Sequence, residues 1–315
     1  VADAGAGVAV ALAAVEPQVR PADRRVGHAD DSVGRFLDLD RITASLPEAV
    51  DELEEDVDQF AEAITTTDSV TKIENRNLPD LDAHMTGVAK GAGMIRPNMA
   101  TMLAFVFLDH PVDPDWWQDT LETAVSTSFN EITVDGEMST NDTVLAFASD
   151  RPDRTPVDSS HDQADALREA LEATCGQLAR KIVRDGEGAT RTLEVRVREA
   201  PSEEAAAEVA DSVANSNLLK SALHGGDPNW GRVYSSIGAT QLDLDSERTT
   251  ITLDGYTVYD PSESIRSVPE ELKQSMRDGT DHSVTVNLGD GNGSARRLTC
   301  DLTEEYVRIN SDYEP

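Results

Sequence analysis

Residues 90 to 108 read Lys90-Gly91-Ala92-Gly93-Met94-Ile95-Arg96-Pro97-Asn98-Met99-Ala100-Thr101-Met102-Leu103-Ala104-Phe105-Val106-Phe107-Leu108. The first half is glycine-rich and runs up to Pro97, which is loop composition. The second half, Met102 to Leu108, is an unbroken apolar run of strand length, which suits a strand buried on both faces. Downstream, a loop at 109–115 leads into a helix predicted over 116–128. Strands at 132–134 and 144–148 flank a polar turn at 135–142. Leu167, Leu171, Leu178 and Ile182 form one stripe of a helix over 162–184, and Gly186 is placed to end it as a left-handed cap. Leu193, Val195 and Val197 alternate as a half-buried strand, and an alanine-rich helix spans 202–223.

The last eighty-odd residues read as β-rich. Asp254-Gly255 joins strands at 250–253 and 256–259 as a two-residue hairpin turn. Val284, Val286 and Leu288 alternate before a turn at 289–293, and Leu298, Cys300 and Leu302 alternate after it. Upstream of the opening stretch, Val50, Leu53, Val57, Phe60 and Ile64 recur at helical spacing. They predict a helix over 46–64, with Ser45 and Glu48 as a capping box. A polar stretch at 65–84 follows it. Helices and hairpins without a regular βαβ rhythm indicate a mixed α and β fold and give a Rossmann arrangement little support.

The chain has 315 residues, 60 of them acidic and 27 basic, for a net charge of -33. Negative charge of that size repels nucleic acid and anionic lipid, so neither is expected as a partner. The chain has no apolar run near the ~20 residues of a membrane-spanning helix. The apolar segment at 5–15 follows Asp3 without a leading Lys or Arg, so it does not read as a secretory signal. A cytoplasmic location is expected. Only five lysines are present (Lys72, Lys90, Lys181, Lys220, Lys273). With the periodic segments above, this usage favours a folded, salt-adapted protein over a disordered one, because molar salt shortens the Debye length to about 3 Å. Cys175 and Cys300 lie far apart with no CxxC or histidine companion, and read as buried free thiols.

Taken singly, few motifs point to chemistry. Gly91-Ala92-Gly93 lacks the GK[ST] of a phosphate loop. His84, His161, His224 and His282 stand alone, and no GxSxG elbow is present. Two loops are unusual. One is Asp185-Gly186-Glu187-Gly188-Ala189-Thr190, with a carboxylate between glycines. The other is His224-Gly225-Gly226-Asp227-Pro228-Asn229-Trp230-Gly231-Arg232. Either can be turn chemistry or a site.

Together with Lys90 to Leu103, several stretches resemble, in order, the ornithine acetyltransferase (glutamate N-acetyltransferase) family. They are Ser128-Phe129-Asn130 through Asn141-Asp142, the 185–190 loop, Asp227-Pro228-Asn229-Trp230-Gly231-Arg232, and Cys300-Asp301-Leu302 with residues 306–313. The resemblance covers residue 35 to the C-terminus. It implies a layered αββα sandwich of two lobes and self-cleavage between Ala100 and Thr101. Residues 1–100 would form an α chain. Residues 101–315 would form a β chain, with a β-rich lobe from about 235. Thr101 would be the new N-terminus and the nucleophile, its own α-amine serving as base. That amine's ordinary pKa, about 7.7–8.0, leaves a usable neutral fraction.

The resemblance further implies ping-pong transfer of acetyl from N-acetylornithine to glutamate in arginine biosynthesis. Thr67, Lys90, Glu187 and Asn310 would bind substrate, Lys90 at an α-carboxylate and Glu187 at the ornithine ammonium. Neither metal nor cofactor is implied, although some members accept acetyl-CoA. The expected assembly is a heterotetramer of two α and two β chains. Where the family's oxyanion Thr-Gly should precede Arg35-Phe36-Leu37, this chain reads Asp31-Ser32-Val33-Gly34. Family members carry a longer N-terminal region, so an N-terminally incomplete member is expected. Pro315 stands in place of a hydroxyl residue and Arg297 in place of a small one. Two rival readings follow: an inactive copy acting as a binding or assembly module, and a hydrolase related to the self-processing aminopeptidases.

Overall fold

The computed structural model describes residues 8–13, 39–51, 57–96, 102–139, 142–264 and 267–312. The first lobe carries a five-stranded sheet of β1 (Val8–Ala13), β2 (Lys72–Leu78), β3 (Ala83–Lys90), β4 (Leu103–Leu108) and β5 (Thr143–Ser149), in the order β1-β5-β4-β3-β2. β4 and β5 pair in parallel and the other neighbours antiparallel. Helices α1 (Leu39–Asp51) and α2 (Val57–Ala63) precede β2, and α3 (Pro114–Ser126) and α4 (Ala164–Arg184) bracket β5.

The apolar run is the strand β4, but only one of its faces is buried. Ala104, Val106 and Leu108 enter a core shared with Trp117 and Leu121 of α3 and with Leu167, Leu171 and Leu178 of α4. The other face carries Phe105 and Phe107. Phe60 of α2 stands edge-on to both, with ring centroids at 5.1 and 6.2 Å, and Phe107 stacks on Phe147. Aromatic rings tolerate this half-covered position, and Phe107 keeps 37% of its surface exposed. The α4 stripe behaves as its spacing predicts. Leu167, Leu171, Leu178 and Ile182 are fully buried, each contributing about 1.5–3 kcal/mol.

Other local expectations also need correction. The helix read over 46–64 starts earlier, at Leu39, with α1 and α2 as its described parts, and Ser45 lies inside α1 with its hydroxyl donating back to the Arg41 carbonyl, so it is no N-cap. Gly186 does not take the left-handed conformation. Asp185 is the C-cap of α4 and Gly188 takes the positive φ of 69°. What Gly186 supplies is space, because a Cβ there would meet the Cys300 sulfur and the Val183 carbonyl at 3.1 Å. Ile132–Val134 is not a strand. Ile132 makes a single bridge to Leu298, after a 3-10 turn at Phe129–Glu131.

The second lobe carries the sheet β10-β6-β9-β7-β8, built from β6 (Thr192–Ala200), β7 (Thr250–Leu253), β8 (Tyr256–Tyr259), β9 (Asp281–Asn287) and β10 (Gly293–Cys300). Asp254 and Gly255 both take positive φ, 44° and 84°, as a two-residue hairpin turn requires. The 289–293 turn joins β9 to β10, yet β6 lies between them. The alanine-rich helix breaks at Asn215-Ser216 into α5 (Glu203–Ala214) and α6 (Asn217–His224), where Ser216 caps the Leu219 amide. α7 (Trp230–Gly238), α8 (Glu270–Asp278) and α9 (Glu304–Asp312) complete the order. Two cores result, one per sheet, in a layered α/β sandwich of two lobes. Cys175 and Cys300 are both buried and free. Among the described residues, no helix is long and apolar enough to cross a membrane.

Candidate active site

β3 and β4 are antiparallel neighbours, with Lys90 opposite Leu103, so residues 91–102 connect two paired strands. Ala100 and Thr101 lie outside the described residues. Both flanks are described. Gly91 turns out of β3 with φ 142°, a conformation that favours glycine, and Met94 also takes a positive φ, of 54°. On the far side the Met102 amide donates to Asp142 Oδ1 at 2.9 Å, and the Thr143 amide donates to the Met102 carbonyl at 3.2 Å.

A buried cation gathers the surrounding loops. The Lys72 ammonium, fully shielded, lies 2.5 Å from Asp68 Oδ1 and 2.6 Å from Asp185 Oδ2. Asp68 also accepts the Gly91 amide at 2.8 Å and the Thr66 amide at 3.2 Å, holding the 66–68 turn against the end of β3. Asp185 accepts the Ser69 and Val70 amides and the Ser69 hydroxyl. Burial alone would raise the Asp68 pKa; the Lys72 charge and hydrogen bond and the Gly91 and Thr66 amides overcome it, and the carboxyl is held below the usual 3.8.

Two residues beyond Asp185, the Glu187 amide donates to the Ala92 carbonyl at 2.8 Å. Its carboxylate lies on Gly93, where an added Cβ would come within 2.5 Å of it. A side chain at 93 would therefore have to displace that carboxylate. Asn310 of α9 donates to Glu187 Oε2 at 2.7 Å, while Thr303 Oγ1 donates to the Gly188 carbonyl at 2.9 Å. Asp301 steadies the same loop, accepting from the Thr190 amide and hydroxyl, the Arg191 amide and His224 Nδ1. Burial pushes Asp301 up, but these donors, Thr190 foremost, bring it below its ordinary value.

Glu187 and Asn310 therefore belong to one hydrogen-bonded framework, and Thr67 and Lys90 adjoin it along the chain, next to Asp68 and Gly91. Thr67 is half-buried, and Lys90 retains 4% of its surface exposed. The Asp227–Arg232 loop is used otherwise. Asn229 caps α7, Arg232 donates to the Leu218 carbonyl, and Trp230 stacks on Tyr259 at 5.1 Å. Arg297 pairs with Asp211. Residues 31–34, where the oxyanion segment was sought, and Pro315 lie outside the described residues. Among the described residues, no group of three or more His, Cys, Asp or Glu side chains is gathered for a metal ion.

Sequence reasoning missed Lys72, Asp135 and Lys220 as organisers of the site. Asp135 accepts the Met94 and Ile95 amides at 2.7 and 3.1 Å, with the Tyr306 hydroxyl donating to it at 3.4 Å. Burial first, then Asp135 and Glu187, push the Tyr306 phenol well above its ordinary pKa, so it is a donor at any working pH. No local signal marks a lone lysine as buried.

A buried cation, carboxylates and an amide side chain thus gather around a glycine turn at a strand end of a layered α/β scaffold. The profile of the ArgJ family matches residues 13–315, and the chain belongs to that family. It is 42% identical over 299 residues to the arginine biosynthesis bifunctional protein ArgJ of Methylococcus capsulatus, covering 93% of this chain and 72% of that protein. The protein of the same name from Bacillus thuringiensis subsp. konkukian is 40% identical over 285 residues, covering 89% and 69%. The crystal structure of arginine biosynthesis bifunctional protein ArgJ from Bacillus halodurans superposes with a TM-score of 0.62 at 36% identity. That match covers 66% of this chain and 98% of the other.

Proposed function

We propose that this member of the ArgJ family is a glutamate N-acetyltransferase of arginine biosynthesis, moving acetyl from N-acetylornithine to glutamate through an acyl-threonine. Residues 1–100 and 101–315 become separate chains once the Ala100–Thr101 bond is cut. The Thr101 hydroxyl adds to the Ala100 carbonyl, and the C–N bond breaks as the nitrogen takes up a proton, which frees the Thr101 amine and leaves an ester; water then hydrolyses that ester to the Thr101 hydroxyl and the Ala100 carboxylate. The hydroxyl then attacks the acetyl carbonyl of N-acetylornithine. The Thr101 amine accepts the hydroxyl proton and returns it to the departing ornithine nitrogen. Glutamate's neutral α-amine attacks the acetyl ester and leaves as N-acetylglutamate.

Lys90 takes the substrate α-carboxylate, Glu187 the ornithine ammonium and Thr67 a polar contact, while Asn310 orients Glu187. The observation that carries this reading is the common framework linking Asp68, Gly91, Ala92, Glu187 and Asn310. No cofactor takes part; acetyl-CoA is a candidate second donor, and the assembly is a heterotetramer of two α and two β chains.

Intact-mass spectrometry of the purified chain tests the first step, two fragments divided before Thr101 being the expected result and Thr101→Ala remaining whole. Incubation with N-acetylornithine and glutamate should then yield N-acetylglutamate. Free acetate instead would make the protein a hydrolase, and an uncut chain without turnover would make it a binding or assembly module. Glu187→Gln should raise the KM for N-acetylornithine about tenfold, or about 1.4 kcal/mol, with a smaller change in KM for glutamate.

A further inference from the structure

Both flanks of the Ala100–Thr101 bond are gripped by one stretch of chain. Upstream, the Ile95 carbonyl accepts from the Val134 amide at 2.9 Å and from Thr133 Oγ1 at 3.1 Å. Asp135 accepts the Met94 and Ile95 amides, and Arg96 donates to the Gly136 carbonyl. Downstream, Asp142 and Thr143 hold Met102. The residues from 133 onward thus act as a jig for the bond.

The charged anchor of that jig is Lys220 of α6. Its side chain is buried, with 3% exposure, and its ammonium donates to the Val134 carbonyl at 2.8 Å, Thr299 Oγ1 at 3.0 Å and the Cys300 carbonyl at 2.5 Å. Three protons thus meet three neutral oxygens, and none of the described carboxylates lies within ion-pair distance. Burying an ammonium this way costs several kcal/mol that an apolar side chain of similar length would not. The charge therefore has work to do close by, and Asp135 is one peptide away from the carbonyl it grips. The Cys300 thiol, 3.9 Å from the ammonium, senses both groups: burial raises its pKa, Lys220 lowers it and Asp135 raises it.

We propose that Lys220 is a positioning residue for self-cleavage. Its ammonium fixes the Val134 carbonyl and, with it, the Asp135 carboxylate beneath the Met94 and Ile95 amides, setting the register of the chain that enters the Ala100–Thr101 bond. The proposal rests on the reading that this bond is cut, and its test separates the two.

In the uncleavable Thr101→Ala chain, amide hydrogen exchange of the segment holding Met94 and Ile95 should quicken at least tenfold when Lys220→Met is added. The β7–β8 hairpin should exchange unchanged. Absence of that local acceleration overturns the proposal, whether or not the parent chain cuts itself. A parent chain that stays whole while the acceleration is seen refutes only the functional reading. In the cleavable chain, Lys220→Met and Asp135→Asn should each slow processing at least tenfold, and the double variant should be little slower than either alone. Multiplying effects would mean independent structural roles and would also overturn the proposal. If Met at 220 prevents folding, Lys220→Gln, which retains amide donors without the charge, supplies the same comparisons.

Discussion

Lys72 and Lys220 are both withdrawn from solvent, and they are neutralised in opposite ways. Lys72 lies between the carboxylates of Asp68 and Asp185 and draws together three loops of the first lobe. Among the described residues Lys220 donates to three neutral oxygens, with the Cys300 thiol at 3.9 Å, and joins α6 and β10 of the second lobe to the chain at Val134. The first arrangement makes the cation indispensable to two buried anions. The second leaves nothing charged behind when the cation is removed. The lesson is that equal burial does not mean equal effect on stability, and that the lysine worth less to the fold has the more direct line to the scissile region.

The sharpest break of this contrast is Lys72→Met. It abandons two carboxylates in the interior and should destabilise the protein by about 3–5 kcal/mol, read by urea denaturation. Lys220→Met should cost less, about 1–3 kcal/mol, since it strands only hydrogen-bond acceptors. If the two losses came out equal, or reversed, the distinction between ion pair and neutral cage would fail.

Asp68→Asn sharpens the comparison on the acid side. The folded carboxyl titrates below its ordinary 3.8, so its contribution is complete above the unfolded value and fades as pH falls through the depressed one. Stability measured from pH 6 downward should fall less steeply in Asp68→Asn than in the parent. Replacement of Lys220 should leave that acid slope unchanged, because none of the described carboxylates pairs with it.

Salt separates the buried pairs from the charged exterior. Raising potassium chloride from dilute buffer to 2 M should increase the parent's melting temperature by screening the net charge of -33. The interval between the parent and Lys72→Met should persist, because the Lys72 and Asp68 side chains are buried and screened little by salt. The smallest effect concerns the thiols. Burial pushes Cys175 up to about 12 and also raises Cys300, so a thiol reagent at pH 8 should label neither until urea is added.

Much of the scaffold was legible where local chemistry and tertiary role agree. The Asp254-Gly255 hairpin and the buried stripe of α4 follow from turn geometry and helical spacing. The readings that failed are those where a local signal had a competitor. Ser45 with Glu48 matches a capping box, yet α1 starts at Leu39 and absorbs both. Alanine propensity carries a helix through Asn215-Ser216 on paper, whereas Ser216 caps a new helix there. The insertion of β6 between β9 and β10 is long-range pairing, which adjacency along the chain does not encode. Of the candidate site, Glu187 and Lys90 were legible through their motifs. Lys72 and Lys220 were not, because an isolated lysine reads as surface until the fold encloses it.

The strand order of the first sheet has a consequence for the protein after processing. β4 lies between β3, which precedes residue 100, and β5, which follows it, and six residue pairs register β3 against β4 from Met85 with Leu108 to Lys90 with Leu103. A nick in the connecting loop would leave two polypeptides interleaved within a single sheet. They would stay associated without any covalent tether, and drawing them apart would require melting the interior that encloses them.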